Sequence, residues 1–200
     1  MHIRPFANSD LPPLIDLTIE TFRPFIEGYV QPLMGDDIFR HQHGQWEQDY
    51  RDDVPTMHDP GAGRHVAVAQ IGVAIVGYVS WKISEKPNHG EICRLAVASP
   101  HRRHHVGRQL CLHAIQEMNA DDVEVVGIGT GDDPFHTAAR ALYEGPGFTK
   151  IPIAEYLKKI RPKLCVSARV RPTPPLAATP YRRPQTPAPH PSTSSQHSLF

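Results

Sequence analysis

The densest chemistry in the sequence is the turn Arg102-Arg103-His104-His105-Val106-Gly107-Arg108. It separates the alternating segment Glu91-Ile92-Cys93-Arg94-Leu95-Ala96-Val97 from a helix-like stretch, Val106 to Met118. A basic turn between a strand and a helix start is an anion site. The first helical amides have no partners of their own, the helix dipole is positive there, and arginines neutralise what the amides hold. Gly107 permits close backbone approach. A diphosphate is the group such a turn suits.

The other reactive side chains give weaker signals. Cys93, Cys111 and Cys165 lie far apart with no Cys-x-x-Cys pair, and Cys93 and Cys111 fall in apolar patterns where a thiol is an inert core group. Among 13 histidines only His41 with His43, and His101 with His104 and His105, are close in sequence. Neither group has metal-ligand spacing, so no metal is expected. The run Val125-Val126-Gly127-Ile128-Gly129-Thr130-Gly131 invites a dinucleotide-binding reading. Its GxGxG spacing is not GxGxxG, and no strand with an acidic residue follows about 20 positions on.

These residues need a scaffold, and hydrophobic periodicity supplies one. His2-Ile3-Arg4-Pro5-Phe6 reads as a short strand, and Asn8-Ser9-Asp10 as the cap of a helix carrying Leu14, Leu17 and Phe22. A second helical stretch spans about Asp36 to Tyr50. His65 to Ile71 and Val73 to Ile83 form a hairpin about Gly72, ended by the polar turn Glu85-Lys86-Pro87-Asn88. Glu91 to Val97 is a strand and Val106 to Met118 a helix. Val123 to Ile128 is a further strand, Pro134 to Glu144 a helix, and Phe148 to Tyr156 a closing strand in which Pro152 marks an edge or bulge. The tally is a mixed α/β (α+β) domain, hairpins first and strand-to-helix units later.

In this order the basic turn resembles the acetyl-CoA loop of the GNAT (Gcn5-related) N-acetyltransferases, whose pattern Q/R-x-x-G-x-G/A follows a strand ending in Leu-x-Val. Arg102, Val106 and Gly107 fit, while His105 stands where the first glycine belongs. His136-Thr137-Ala138-Ala139-Arg140-Ala141-Leu142-Tyr143-Glu144-Gly145-Pro146-Gly147-Phe148 is similar to the family's N-x-x-A-x-x-L-Y-E-x-x-G-F helix and turn, with His136 replacing the Asn. Ile3-Arg4-Pro5-Phe6 and Asp10-Leu11 also match the family's start, so the resemblance covers residues 2 to 160. It implies a mostly antiparallel central sheet flanked by helices, with splayed central strands.

It also implies roles. Main-chain groups of Leu95 and Val97, with Ala96 between them, would pair with the pantetheine arm, and the amides from Arg103 through His104, His105, Val106 and Gly107 to Arg108 would cradle the diphosphate beside Arg102. Tyr143 would protonate the departing thiolate. An alkylammonium must lose a proton before it attacks a thioester, and Glu91 is the candidate base, with strand alternation placing it on the face of Cys93, Leu95 and Val97. The activity implied is acetyl transfer from acetyl-CoA, as cosubstrate, to a primary amine of a small molecule or peptide in a ternary complex. The alternative is a non-catalytic CoA-binding or regulatory module. His136 either caps its helix or faces the acceptor pocket. Trp46 and Tyr50 read as helix packing, with Asp49 and Asp53 open as acceptor contacts.

Length and charge agree with one such domain. At 200 residues the chain has room for one core and a tail. Residues 1–161 hold all 21 acidic residues but not all 21 Lys and Arg, so this part is mildly acidic and suits a cationic amine better than nucleic acid. From Arg161 onward prolines recur among Ser and Thr, and residues 162–200 read as a disordered tail. No apolar stretch approaches the roughly 18 to 20 residues that span a bilayer. With no leader-like N-terminus and no paired cysteines, a cytoplasmic location is expected. Quaternary state is left open, a homodimer included.

Overall fold

The computed structural model describes residues 1–84 and 88–158. Among them, five strands form one sheet in the order β1 to β5: β1 (His2–Pro5), β2 (Arg64–Ile71), β3 (Ala74–Ile83), β4 (His89–Val97) and β5 (Val125–Ile128). The first three junctions are antiparallel and β4 pairs β5 in parallel. The helices are α1 (Leu11–Phe25), α2 (Gln31–Met34), α3 (Asp36–His43), α4 (Trp46–Asp53), α5 (Val106–Ala120) and α6 (Thr137–Glu144). The architecture is the mixed, mostly antiparallel sheet with flanking helices that the sequence predicts. All of these elements lie in the compact unit Met1–Glu155. The tail expected at 162–200, the end of the domain at 161, Cys165 and most of the Glu85-to-Asn88 turn lie outside the described residues.

Each face of the sheet buries its own core. On one side Val79, Trp81, Ile92 and Val97 pack with Val106, Leu110, Cys111, Ala114 and Met118 of α5. On the other, Val66, Val68, Tyr78 and Ala96 pack with Leu14 and Leu17 of α1 and with Val54 and Met57. Burying a side chain such as Leu110 or Leu14 contributes about 1.5–3 kcal/mol, and this burial outweighs local propensity in setting where α1 and α5 sit. One polar tie crosses the second core: the Thr18 and Tyr78 hydroxyls hydrogen-bond at 2.6 Å, both residues fully buried.

Local chemistry departs from the sequence reading at several ends. Asn8–Asp10 forms a 3-10 turn, and the Asp10 carboxylate makes no cap bond to α1. It accepts instead from the Ala7 N–H at 2.8 Å and from both outer nitrogens of Arg4, at 2.7 and 2.8 Å, locking β1 to the start of α1. Pro24, inside α1, lacks the N–H its turn needs, and the helix passes into a π turn at Ile26–Val30. The helix expected from Asp36 to Tyr50 is two, α3 and α4, parted at Gly44 and Gln45.

The closing strand expected at Phe148 to Tyr156 is not formed, and residues 148–158 carry no regular structure. Ile151, Ile153 and Tyr156 are exposed there. The alternation that suggested a strand meets no surface able to bury either of its faces, and Pro152 removes a donor from the middle of it.

The Arg4–Asp10 pair predicts a pH-dependent stability. The Arg4 guanidinium first, and then the Ala7 amide, hold the Asp10 carboxyl below its ordinary value against the opposing effect of burial. Because the folded-state value is depressed, the pair stabilises fully above the unfolded value near pH 4 and loses its contribution as pH falls through the folded value. Asp10→Asn should therefore lower the unfolding free energy by about 2 kcal/mol at pH 7, with a smaller difference near pH 2, measured by urea denaturation.

Candidate active site

The site begins where β4 and β5 part. They pair only from His89–Val125 to Ile92–Ile128, after which β4 runs on alone to Val97. From Cys93 onward the β5 side of β4 therefore offers main-chain donors and acceptors with no strand beside them. This is the splay that the family resemblance implies.

A bulge lies at the same point. Across β3 and β4, Ser80 faces Arg94 but Trp81 faces Ile92, so Cys93 is an extra residue in β4. Before the bulge Gly90 and Ile92 face α5; after it Leu95 and Val97 do. The parity changes, and Glu91 does not share the face of Leu95 and Val97 as strict alternation predicts. It lies on the opposite face, beside Lys82 of β3, whose Nζ is 2.8 Å from Glu91 Oε2. Arg94 shares that face, bonding Asp53 at 2.8 Å and lying over the Tyr50 ring at 5.0 Å. Asp53 is thus an ion-pair partner of Arg94. Trp46 and Tyr50 pack edge to face at 6.0 Å, with Tyr50 stacked on Phe22.

Beyond Val97 the basic turn has the geometry of an anion cradle. Arg102 Nε donates to the Val97 carbonyl at 2.9 Å, anchoring that side chain to the end of β4. Arg103 and His105 both adopt left-handed backbone, φ +67° and +62°. His105, in place of the family pattern's glycine, thus takes a conformation that glycine adopts freely. The Gln109 amide closes the first turn of α5 onto the His105 carbonyl at 3.0 Å, leaving the amides of Val106, Gly107 and Arg108 without intrahelical acceptors. Arg102 to His105 and Arg108 are exposed, while Val106 is buried and fixes the turn to the core. Leu95 and Ala96 complete the stretch that leads into it.

Gly107 faces the protein. A Cβ there would lie 2.9 Å from Leu142 Cδ1 of α6, with Leu95 and Val97 next nearest. The absent side chain lets α5, α6 and the free end of β4 meet. α6 then brings Tyr143 against the core below that junction. The Gly145-Pro146-Gly147 turn, with Gly147 at φ +97°, folds Phe148 back so that its ring lies 6.1 Å from that of Tyr143 and its amide donates to the Tyr143 carbonyl at 3.3 Å. Burial, and secondarily the nearby Cys111 thiol, push the Tyr143 phenol well above its ordinary value, so it keeps its proton at neutral pH. Burial likewise pushes the Cys111 thiol up to about 11 and raises that of Cys93. Neither is disposed to ionise as a nucleophile.

Residues 31–148 match the model of the acetyltransferase (GNAT) family. The chain belongs to this family. Solved structures with the same fold include a PaiA N-acetyltransferase from Thermoplasma acidophilum in complex with coenzyme A, at 16% identity and TM-score 0.56, covering 74% of this chain and 89% of that one. A ribosomal-protein-alanine N-acetyltransferase from Brucella melitensis aligns at 24% identity and TM-score 0.52, covering 76% and 86%. The aminoglycoside 6'-N-acetyltransferase AAC(6')-Ig from Acinetobacter haemolyticus aligns at 14% identity and TM-score 0.56, covering 80% and 99%. No curated protein matches the chain in sequence. No helix among the described residues is long and apolar enough to cross a membrane.

One functional candidate was left undecided by sequence alone and another escaped it. His136 sits at the start of α6 with its Nδ1 2.6 Å from Asp133 Oδ2, three residues before it in the turn that opens the helix. The left-handed His105 gives a direct test of the cradle. His105→Gly removes a backbone cost of about 1 kcal/mol, partly offset by the freer unfolded chain. The variant should melt at the same temperature or slightly above, and bind CoA in calorimetry at least as tightly. A clear loss of CoA affinity would mean that the imidazole, and not the backbone, is the ligand at this position.

Proposed function

We propose that this GNAT-family chain transfers an acetyl group from acetyl-CoA to a primary amine of a small molecule or peptide, by direct attack in a ternary complex. The observation that carries the reading is the unpaired stretch of β4, Cys93 to Val97, running straight into the amide-rich start of α5. An extended amide-bearing chain beside that stretch would find strand-like partners at Leu95 and Val97, and a diphosphate at its end would meet the amides from Arg103 to Arg108 with Arg102 alongside. This is the shape and charge order of CoA, so the residues present fit it.

Bound acetyl-CoA would supply an activated thioester carbonyl; the rest falls to the chain. Tyr143, kept protonated by burial, gives its proton to the sulfur as the C–S bond breaks. Two groups are candidates for taking the ammonium's proton: Glu91, directly or through a water, and the His136 imidazole. The high values of the Cys93 and Cys111 thiols favour direct transfer over a covalent shuttle. The mildly acidic body suits a cationic acceptor. The domain is proposed to end near residue 161.

A thiol-release assay with acetyl-CoA and a panel of polyamines, aminoglycosides, amino acids and peptides tests the reading. Amine-dependent release supports it; CoA binding without release with any amine would leave a CoA-binding module. In an active chain, Tyr143→Phe should lower kcat by about 10²-fold while leaving the acetyl-CoA dissociation constant unchanged. Arg102→Glu or Arg103→Glu should raise the KM for acetyl-CoA by about tenfold or more with a smaller change in kcat. Equal losses in both parameters would argue against diphosphate contact.

A further inference from the structure

A buried carboxylate and an imidazole form a built unit at the start of α6. Asp133 is 9% exposed. Its Oδ2 lies 2.6 Å from His136 Nδ1, and its Oδ1 accepts the His136 main-chain N–H at 3.1 Å. The loop beneath is clamped by Arg140 Nη1, which donates to the carbonyls of Gly131 at 2.6 Å and Asp133 at 2.8 Å. Gly131 lies over the pair so closely that a Cβ would collide with Asp133 Oδ2 and sit 2.9 Å from His136 Nδ1. The imidazole packs edge to face against Phe25 of α1, at 4.5 Å, and Phe135, at 5.1 Å, two rings that also touch each other at 5.3 Å. The His136 side chain is 16% exposed, and its hydrogen bonds to Asp133 run through Nδ1 and the main-chain N–H, not through Nε2.

Chemistry follows from that arrangement. Burial alone would push the Asp133 carboxyl up, but the hydrogen bonds from the His136 ring and main-chain N–H outweigh it and hold the carboxyl below its ordinary value. Asp133 is therefore an acceptor, and in the neutral imidazole this places the proton on Nδ1 and the lone pair on Nε2. His136 and Tyr143 are two helical turns apart on one face of the α6 direction, about 10 Å of rise. The ring stands where the end of α1 meets the start of α6, the helix that carries Tyr143. The other charged groups at this corner, Asp132, Arg140 and Lys150, are bonded to one another or to the loop. From α1 the ring meets Phe25, behind which the Tyr29 ring is stacked at 6.0 Å.

We propose that His136, held by Asp133, is the general base that takes the proton of the acceptor ammonium. This rests on the acetyl-transfer reading above. The alkylammonium gives one proton to Nε2, which passes it to solvent. The neutral nitrogen then forms the C–N bond as the C–S bond breaks, and the second proton it sheds replaces the one Tyr143 delivers to sulfur. Products are the N-alkylacetamide, the CoA thiol and one proton in solution. His136 suits this better than Glu91 for a stated reason. Accepting a proton at Glu91 gives up the 2.8 Å contact with Lys82, whereas accepting one at Nε2 strengthens the contact with Asp133.

Two measurements test the assignment. Long-range ¹H–¹⁵N spectra of the unliganded, unmutated chain, with His136 identified through its ring contacts to Phe25 and Phe135, should show the Nδ1-protonated tautomer at neutral pH; the opposite tautomer overturns it. In kinetics, His136→Asn should keep the acetyl-CoA dissociation constant but lose about 10²-fold in kcat/KM for the amine, with the acidic limb of the pH profile removed. Asp133→Asn, whose amide would donate to Nδ1, should move the proton to Nε2 and lower kcat without changing CoA affinity. Transfer that survives His136→Asn, or an acidic limb lost in Glu91→Gln and kept in His136→Asn, overturns the base alone. A wild-type chain that binds CoA but releases no thiol with any amine overturns the acetyl-transfer reading together with the base.

Discussion

Everything at the site depends on β4 losing its neighbour after Ile92. A strand inside a sheet has every amide and carbonyl engaged, so it can offer a ligand nothing but side chains. Here β5 stops pairing at Ile128 while β4 continues to Val97. The sheet stays intact on the β3 side, where Gly77, Tyr78, Val79 and Ser80 still pair with β4. One edge of the strand is thus rigid and the other is free. The Cys93 bulge falls at the boundary between the paired and unpaired stretches, and bulges add twist where they occur.

The bulge also sorts side chains. With Cys93 inserted, Leu95 and Val97 face α5 and α6, and Arg94 and Ala96 face α1. The apolar pair then supports the junction with Gly107 and Leu142, and the polar residue enters a cluster with Asp53, Tyr50 and Met57. A cofactor arm along the free edge would accordingly have an apolar floor on one side and a charged, aromatic wall on the other. The two sides of the strand thus differ in character, apolar toward α5 and charged and aromatic toward α1, and one extra residue produces the division.

Much of this was legible in the sequence because it is carried by periodicity and punctuation. The hairpin about Gly72, the strand into the basic turn, the helix after it and the Tyr143 helix each have apolar spacings that only one element satisfies. Other features had no such signature. A bulge is one residue out of register, and nothing in Glu91-Ile92-Cys93-Arg94 distinguishes it from a regular strand, so Glu91 was placed on the wrong face. The single helix read over Asp36 to Tyr50 failed because Gly44 sits at a break that helix-face spacing does not record. The strand read at Phe148 to Tyr156 had the right alternation and no surface to bury it. Asp133 lies only three residues before His136, but an Asp-x-x-His spacing does not by itself show that the turn is closed, as Gly131 and Arg140 close it, to bring the two side chains together.

The thiols bear on how acyl transfer would run on this scaffold. A covalent relay needs a cysteine that ionises near neutral pH and can reach both partners. Cys111 is fully buried on the core-facing side of α5, its thiol pushed up to about 11 by burial. Cys93 is half-buried in the bulge, raised first by burial and then by the Glu91 charge, with its Sγ turned to the Glu91 carbonyl at 3.6 Å. Both environments favour the neutral thiol, which is the poor nucleophile. What the parted strands do provide is an unpaired edge of β4 along which a cofactor arm could align, and alignment of two bound reactants is itself worth several kcal/mol of barrier. Under the proposed ternary-complex reading no acyl-enzyme is needed, and the chain's described cysteines are placed where they would make a poor one.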